Sequence, residues 1–178
     1  DSHKWMLGPN GAGIFYVSRD LHDRLRPGLL GSWNVRSPRF IAQDRIAFES
    51  GGRRFEPGML NHVGIAGMAA SLRLLLDTGI DAVSSQLLAL HDHALERARA
   101  LGFERYLPDL PGPARSGIIT LRHPTAELPA IFQALDEANI VVSLRHDRAG
   151  TPLLRFSPHF YNTPTQLDRA FDALAQRL

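Results

Sequence analysis

A long apolar stripe in the middle of the chain constrains the fold more than any other feature. Between residues 80 and 102, apolar side chains recur at steps of three and four, at Val83, Leu87, Leu90, Ala94, Ala98 and Leu101. Because an α-helix repeats every 3.6 residues, this spacing places them on one helix face. The stripe stops at Gly102, a residue type that commonly ends helices. The sequence therefore predicts a helix from about Asp81 whose buried face packs against other elements.

The segments after this helix predict a small α+β unit. After a proline-rich link over 108–113, strands are predicted at 117–121, 140–144 and 153–156, with a helix at 128–138. Thr163, Pro164 and Gln166 combine an N-cap threonine, a proline at the first helical position and a glutamine at the third. They predict a final helix, whose inward residues are expected to be Leu167, Phe171, Leu174 and Leu178.

The segment before the stripe predicts a different region. Asn61 is a good N-cap for a helix that runs to about Asp77, with Gly79 just past its end. Small residues at Gly64, Gly67 and Ala70 give this helix a face suited to close packing. A glycine-rich turn over 8–13 leads into an apolar run, 14–17, that predicts a short buried strand. We place a domain boundary near residue 78, which gives domains 1–78 and 79–178.

Composition narrows the function classes. The chain is 44% hydrophobic and 21% charged, as expected for a globular protein, and its net charge is only +2 with arginines dispersed along the sequence. Nucleic-acid binding is therefore not expected. Apolar runs are far shorter than the ~20 residues of a membrane span, so we expect a cytoplasmic chain with no membrane partner. The absence of cysteine excludes a disulfide framework, thiolate metal ligands and a cysteine nucleophile.

Lys4 is the only lysine, and arginine occupies every other Lys or Arg position. An amine that can lose its proton attacks an aldehyde, whereas a guanidinium cannot. Schiff-base chemistry thus gives one reason for a lysine at position 4, and the codon bias of a GC-rich genome gives another for the arginines elsewhere.

Two other motifs do not point to a site. The 8–13 glycine turn lacks the terminal lysine and hydroxyl of a phosphate-binding loop and precedes a strand, not a helix. His91 and His93 are two apart on a predicted helix, so their side chains diverge, and we expect surface histidines and no metal site.

Arg145 and Arg155 lie at or beside the ends of two predicted strands. Arginine binds carboxylates through paired hydrogen bonds, so either could anchor an amino-acid substrate. The alternative is a surface ion pair with a neighbour such as Asp147, which is the commoner role of an arginine. The residues alone leave both open.

Four ordered motifs resemble one family. The segment 2–9, Ser-His-Lys-Trp-Met-Leu-Gly-Pro, followed by Gly-Ala-Gly-Ile-Phe-Tyr-Val at 11–17, is similar to the cofactor-lysine signature of class V aminotransferases, which include cysteine desulfurases, selenocysteine lyase and kynureninase. Arg54–Gly58, Ser143–Arg145 and Arg155–Thr163 agree in order and rough spacing. The resemblance spans nearly the whole chain.

The resemblance implies an α/β fold of fold-type I pyridoxal-phosphate enzymes. Residues 1–78 would be the end of the large cofactor-binding domain, which is built on a mostly parallel sheet. Residues 79–178 would be the small C-terminal α+β domain. A homodimer acting on a small amino-acid substrate is also implied.

By the same resemblance, Lys4 carries pyridoxal 5'-phosphate as an internal aldimine and moves protons at the substrate α-carbon. His3 lies near the cofactor phosphate, and Gly58 and Met59 also belong to the cofactor site. Arg155 grips the substrate carboxylate, and Arg145 lines the same pocket.

Three departures from the family pattern bear on chemistry. Relatives such as the desulfurases have a threonine that reaches the phosphate across the dimer, where this chain has Met59 with only a backbone N–H to offer. Asp1 stands where some relatives have a small hydroxyl residue, and its carboxylate would repel phosphate unless turned away. The loop after Arg145 has no cysteine, so a persulfide cannot form in this segment.

We therefore expect an enzyme that acts on an amino acid, most simply an aminotransferase. A cysteine-independent lyase or an epimerase is the next hypothesis. A different class remains open for the isolated chain, namely a catalytically silent fragment or dimerisation module.

Overall fold

The computed structural model describes residues 1–36, 44–107, 111 and 114–178. Most of the proline-rich link predicted over 108–113 lies outside these residues. The chain forms two compact units, Asp1–Asp77 and Thr78–Leu178. This division falls one residue from the boundary that the sequence suggested.

The second unit is a four-stranded antiparallel sheet with helices. Its helices are α2 (Ile80–Ala100), α3 (Leu128–Glu137) and α4 (Pro164–Ala175). Its strands are β1 (Glu104–Arg105), β2 (Ile119–Arg122), β3 (Ser143–His146) and β4 (Pro152–Phe156), in the order β1-β2-β4-β3. Strand β4 therefore lies inside the sheet, and β3 is an edge strand.

The core of this unit lies on one face of the sheet. Side chains alternate between faces along a strand, so Ile119 and Leu121 of β2 share a face with Leu154 and Phe156 of β4. These four are buried in one cluster with residues of α2, α3 and α4. The stripe predicted on α2 is confirmed, since its members from Val83 to Ala98 are all buried. The opposite face carries Thr120, Ser143, Arg145 and Arg155 together with Leu153, which is also buried.

The end of the second unit follows the predicted pattern with two corrections. The Thr163 capping box is present: Thr163 Oγ1 accepts from Gln166 N, and Gln166 Oε1 accepts from Thr163 N. Leu178 was predicted to be inward but is 53% exposed, because α4 ends at Ala175. The strand predicted at 140–144 is formed at Ser143–His146, since Asn139 leaves α3 in a left-handed conformation and only later residues pair with β4.

His91 was predicted to be a surface residue, and the structure contradicts this. Its side chain is 1% exposed, with Nδ1 3.3 Å from Asp92 Oδ1. Nε2 is buried and has no hydrogen-bond partner among the described residues. His91 follows Leu87 by four positions, so it belongs to the apolar face of α2. The periodicity that predicted the helix could have predicted this burial.

The first unit has one long helix and much irregular backbone. Helix α1 (His62–Thr78) matches the prediction, and Asn61 Oδ1 caps it by accepting from Gly64 N at 2.9 Å. Short 3₁₀ turns occur at Arg19–Leu21 and Gly51–Phe55, and an isolated bridge joins Val35 to Phe48.

The buried strand predicted at 14–17 is absent. Ile14, Phe15 and Tyr16 are 59%, 69% and 83% exposed, and the segment has no strand assignment. A strand requires a neighbour to satisfy its backbone groups, and the described residues of the first unit offer this segment none. The prediction of a buried strand at this segment is therefore wrong. The parallel sheet expected of a large domain is likewise not formed within the described part of this unit.

No single helix in the described part of the chain is long and apolar enough to cross a membrane. Helices α1 and α2 meet the length and composition criteria only when taken together across the break at Gly79.

Candidate functional site

Lys4 sits in a tight turn at the surface of the first unit. Leu7 N donates to Lys4 O at 3.0 Å, and Gly8 N donates to Ser2 O at 2.8 Å, so two nested hydrogen bonds close the turn. Leu7 closes it with a φ of 57°, a left-handed conformation that a leucine rarely adopts. Such backbone strain persists only where surrounding structure enforces it, and it concentrates at functional sites. The exposed lysine is thus held on a defined backbone.

Ser2 is the anchor of this turn. It is fully buried, its N donates to Ala12 O at 2.8 Å and its Oγ donates to Pro9 O at 2.8 Å. A Cβ on Gly8 would lie 2.6 Å from Ser2 Oγ, so a side chain at position 8 would displace the anchor. Position 8 therefore requires glycine, because the backbone there passes too close to Ser2 for any side chain.

Helix α1 supplies the surface on which the turn rests. A Cβ on Gly67 would be 3.0 Å from Pro9 Cγ, and one on Gly64 would be 3.1 Å from Ala12 Cβ. Asn61 Nδ2 adds a hydrogen bond to Gly11 O at 3.2 Å. The small-residue face predicted for α1 thus receives the segment that carries Lys4.

His3 and Asp1 form a pair beside Lys4. Asp1 Oδ2 lies 2.8 Å from His3 Nδ1, and both side chains are partly exposed. The carboxylate that departed from the family pattern is therefore directed at the imidazole. When Nδ1 donates a hydrogen bond to Asp1, Nε2 is the ring nitrogen that can bind another group.

The segment 54–58 is held by a buried asparagine. Asn34 is fully buried, and its Nδ2 donates to Leu29 O at 2.8 Å and to Arg54 O at 3.1 Å. Its Oδ1 accepts from Gly31 N at 2.9 Å. Every hydrogen-bonding group of this amide except one lone pair is used, so Asn34 fixes the backbone on both sides of it.

Close packing completes the support of this segment. A Cβ on Gly31 would lie 1.9 Å from Pro57 O, so only glycine fits beneath that carbonyl. The Phe15 and Phe55 rings meet edge to face at a centroid distance of 5.3 Å, which links the residues after the Lys4 turn to the same segment.

Gly58 and Met59 end the segment in open positions. Nothing lies within 4 Å of a notional Cβ on Gly58, and the Met59 side chain is 79% exposed. Open space at Gly58 lets a ligand approach the backbone there. The thioether of Met59 provides no donor, as the sequence indicated.

Arg155 lies on the interior strand β4 of the second unit. Its guanidinium NH2 donates to Ser143 Oγ at 3.3 Å, across the register pair that joins β3 to β4. Its Nε is buried and has no partner among the described residues. A half-buried cation with an unsatisfied donor is costly unless a ligand completes it, which favours an anion-binding role.

Arg145 lies on the same sheet face as Arg155, two positions after Ser143 on β3. The ion pair with Asp147, which was the alternative role, is absent from the structure. Asp147 Oδ1 instead accepts from Ala149 N at 2.8 Å and from Thr151 N at 2.9 Å in the β3–β4 turn. These backbone donors, Thr151 first, lower the pKa of the Asp147 carboxyl. Asp147 shapes the turn and leaves Arg145 exposed.

The sequence did not predict the residues that support the Lys4 segment and Arg155. Ser2 and Ser143 belong to the motifs that carry the resemblance but were given no role of their own, and Asn34 belongs to no motif. Ser2 and Ser143 did stand beside the predicted residues, and a small hydroxyl next to a functional lysine or arginine is a usable signal. Asn34 lies in an irregular region where only the fold shows its partners.

Lys4 on its braced turn and the two arginines on one sheet face are the residues that the resemblance to pyridoxal-phosphate enzymes singled out. Comparison with known proteins agrees. The Aminotransferase class-V family model matches residues 1–170, and the chain belongs to this family.

The relatives include more than one activity. The chain is 26% identical over 176 residues to the uncharacterized aminotransferase YcbU of Bacillus subtilis, covering 99% of this chain and 44% of YcbU. It is 28% identical over 184 residues to a probable cysteine desulfurase of Staphylococcus aureus, covering 98% and 43%. The chain therefore spans less than half the length of these curated relatives.

Solved structures show the same fold. A cysteine desulfurase of Thermococcus onnurineus, in its apo form, superposes with a TM-score of 0.87 at 22% identity, covering 98% of this chain and 45% of that one. The cystine C-S lyase C-DES, in complex with cysteine persulfide, gives a TM-score of 0.83 at 21% identity, with 99% and 45% covered. The α/β fold expected from the resemblance is confirmed.

Proposed function

We propose that the protein containing this chain acts on an amino acid through pyridoxal 5'-phosphate, with Lys4 holding the cofactor, and that its reaction is transamination. The observation that carries the proposal is the Lys4 turn. The chain's one lysine is exposed on a strained, doubly hydrogen-bonded turn that Ser2 and α1 brace. Family membership supports the choice of cofactor.

The chemistry of the residues fits this cofactor. Lys4 supplies a primary amine, His3 offers an imidazole already oriented by Asp1, and Gly58 leaves its backbone approachable. Arg155 has an unsatisfied donor for a carboxylate. Lys4 and His3 would hold the cofactor together with Gly58 and the backbone of Met59, and Arg155 would bind the substrate.

In this mechanism each residue has a limited task. When bound, pyridoxal phosphate supplies an electron sink that stabilises negative charge at the substrate α-carbon. Arg155 orients the substrate by its carboxylate, and Ser143 holds the guanidinium. Lys4 would be the residue that takes a proton from the substrate α-carbon and donates it back, which is general acid–base work for an amine that can lose its proton. The rigid turn limits how far the amine must travel.

The absence of cysteine favours transamination over desulfuration. The turn after Arg145 is a tight Asp147-centred loop with no thiol, and the whole 178-residue chain has none. A persulfide relay through this segment is chemically impossible. A cysteine-independent lyase or an epimerase requires no thiol either and is the second candidate.

Cofactor attachment is tested on the full-length protein purified with added pyridoxal phosphate. We expect a visible absorbance band that borohydride treatment abolishes, with the added mass found on the peptide that contains Lys4. Lys4→Arg is the charge-matched control and should show neither signal, because a guanidinium does not attack the aldehyde. A persistent band in Lys4→Arg would refute the assignment.

The reaction type is tested by its products. Transamination converts an amino acid to its 2-oxo acid with equimolar amination of an acceptor, a lyase releases a side-chain fragment with no acceptor, and an epimerase changes only chirality. Acceptor-dependent 2-oxo acid formation is the expected result. Product formation without an acceptor would instead support the lyase.

A homodimer is part of the proposal, and the exposed Met59 lies in the segment that the resemblance assigns to the cofactor site. Analytical ultracentrifugation of the full-length protein should show two copies. If only the complete protein turns over substrate and the isolated 178 residues do not, this chain by itself is a silent part of the enzyme.

A further inference from the structure

The sheet face of the second unit that carries Arg145 and Arg155 holds two cations with no acidic partner among the described residues, beside the buried Leu153. Side chains of Thr120, Arg155 and Ser143 lie in one row across β2, β4 and β3, because these residues face each other in the register. Arg122 and Arg145 extend this face by two positions along their strands. Arg122 is neutralised by Glu104 at 2.8 Å. Arg145 and Arg155 form no ion pair within the described ranges.

The two unpaired arginines are diagonal neighbours. Ser143 faces Arg155 and Arg145 faces Leu153, so the two arginine Cα atoms stand roughly 7–8 Å apart. Both side chains are long, and both project from the same face. Two guanidinium groups at this spacing can bind the two carboxylates of one small dicarboxylic molecule.

The two arginines differ in how firmly they are held. Arg155 is half-buried and bonded to Ser143 Oγ, which suits a fixed anchor for the carboxylate common to every amino acid. Arg145 is exposed and its nearest acid in sequence, Asp147, is committed to the turn. It is free to reach a second, variable anionic group.

From this geometry we infer that Arg145 selects amino acids with an acidic side chain, so that aspartate or glutamate is preferred to its neutral amide. The inference rests on the proposed function, since it assigns Arg155 to the α-carboxylate. The physical reason is that two uncompensated cations on one face favour a dianionic group over a singly charged one. An exposed charge on edge strand β3 could otherwise serve only to prevent edge pairing, a role without substrate preference.

The test uses the full-length, cofactor-loaded protein and two substrate pairs matched in shape: aspartate with asparagine, and glutamate with glutamine. We expect kcat/KM to favour an acid over its amide by at least about tenfold. In Arg145→Gln this ratio should fall by at least about tenfold, mainly through KM, because a charge-assisted pair is lost. Arg148→Gln removes an exposed arginine from the adjoining turn and should leave the ratio unchanged.

The outcomes separate the two proposals. If amides are used as well as acids, or if Arg145→Gln lowers both activities equally, the selectivity of Arg145 is refuted while the proposed function stands. If the protein forms no borohydride-sensitive cofactor band, the proposed function itself fails. A fall in the ratio with Arg148→Gln as large as with Arg145→Gln would also overturn the inference, since general surface charge would then explain the preference.

Discussion

Replacing each of three asparagines of the first unit by alanine should lower the free energy of unfolding by very different amounts. Asn34→Ala removes three hydrogen bonds from a fully buried position and leaves Gly31 N, Leu29 O and Arg54 O without their partner. At about 1 kcal/mol net for each bond, the expected loss in the free energy of unfolding is about 3 kcal/mol. Asn61→Ala removes a helix cap and should cost about 1 kcal/mol.

Asn10 provides the matched control. It is exposed, its side chain forms no hydrogen bond with the residues that the structure describes, and its replacement should change stability by less than about 0.5 kcal/mol. Both tryptophans of the chain, Trp5 and Trp33, lie in the first unit, so urea unfolding followed by their fluorescence reports on this unit. The denaturant dependence m should stay constant while the midpoint moves. A loss at Asn34 no larger than at Asn10 would refute the view that this amide holds the 54–58 segment.

Three further predictions concern separate features. Burial lowers the pKa of His91 from its ordinary 6.5, so the unfolded state binds a proton more readily, and stability should decline as pH falls below about 6.5. In urea titrations between about pH 8 and 5, His91→Gln should remove part of this decline and exposed His62→Gln should not; equal slopes in all three proteins would contradict it. Thr163→Ala breaks the capping box and should cost about 1 kcal/mol in thermal unfolding, whereas Thr165→Ala should cost less, and the reverse order would exclude the cap as the cause. Met59→Thr adds a hydroxyl where relatives have one and should lower the Kd for pyridoxal phosphate by about tenfold in fluorescence titration; an unchanged Kd would show that position 59 does not reach the phosphate.

Helix capping and hydrophobic periodicity correctly predicted the elements that depend on residues close together in sequence. The Thr163 capping box and the α2 stripe need only residues within one or two turns of each other, and both are present. The motifs around Lys4 and Arg155 indicated which residues could form a site. In the structure Lys4 lies on a braced turn, and the Arg155 guanidinium bonds Ser143 through NH2 while its Nε has no partner among the described residues.

Several of the failures depend on partners distant in sequence. The run at 14–17 has the composition of a strand, but pairing requires a second strand that composition does not reveal. The role of Asn34 depends on Arg54, twenty residues later, and that of Ser143 depends on the β3–β4 register. His91 is a different case, because its place on the apolar face was readable from spacing and was overridden by the usual exposure of histidine.

The Lys4 turn also offers a way to measure whether the Lys4 amine is covalently modified. A protease that cuts only after lysine has a single target among these 178 residues, the bond that follows Lys4. That bond lies within a turn closed by Leu7 N and Lys4 O, and a protease must unwind this turn before it can cut. A lysine whose amine is covalently occupied no longer fits the protease's specificity pocket. If Lys4 holds the cofactor as proposed, the rate of cleavage at this one bond would therefore report the fraction of the protein whose Lys4 amine is occupied.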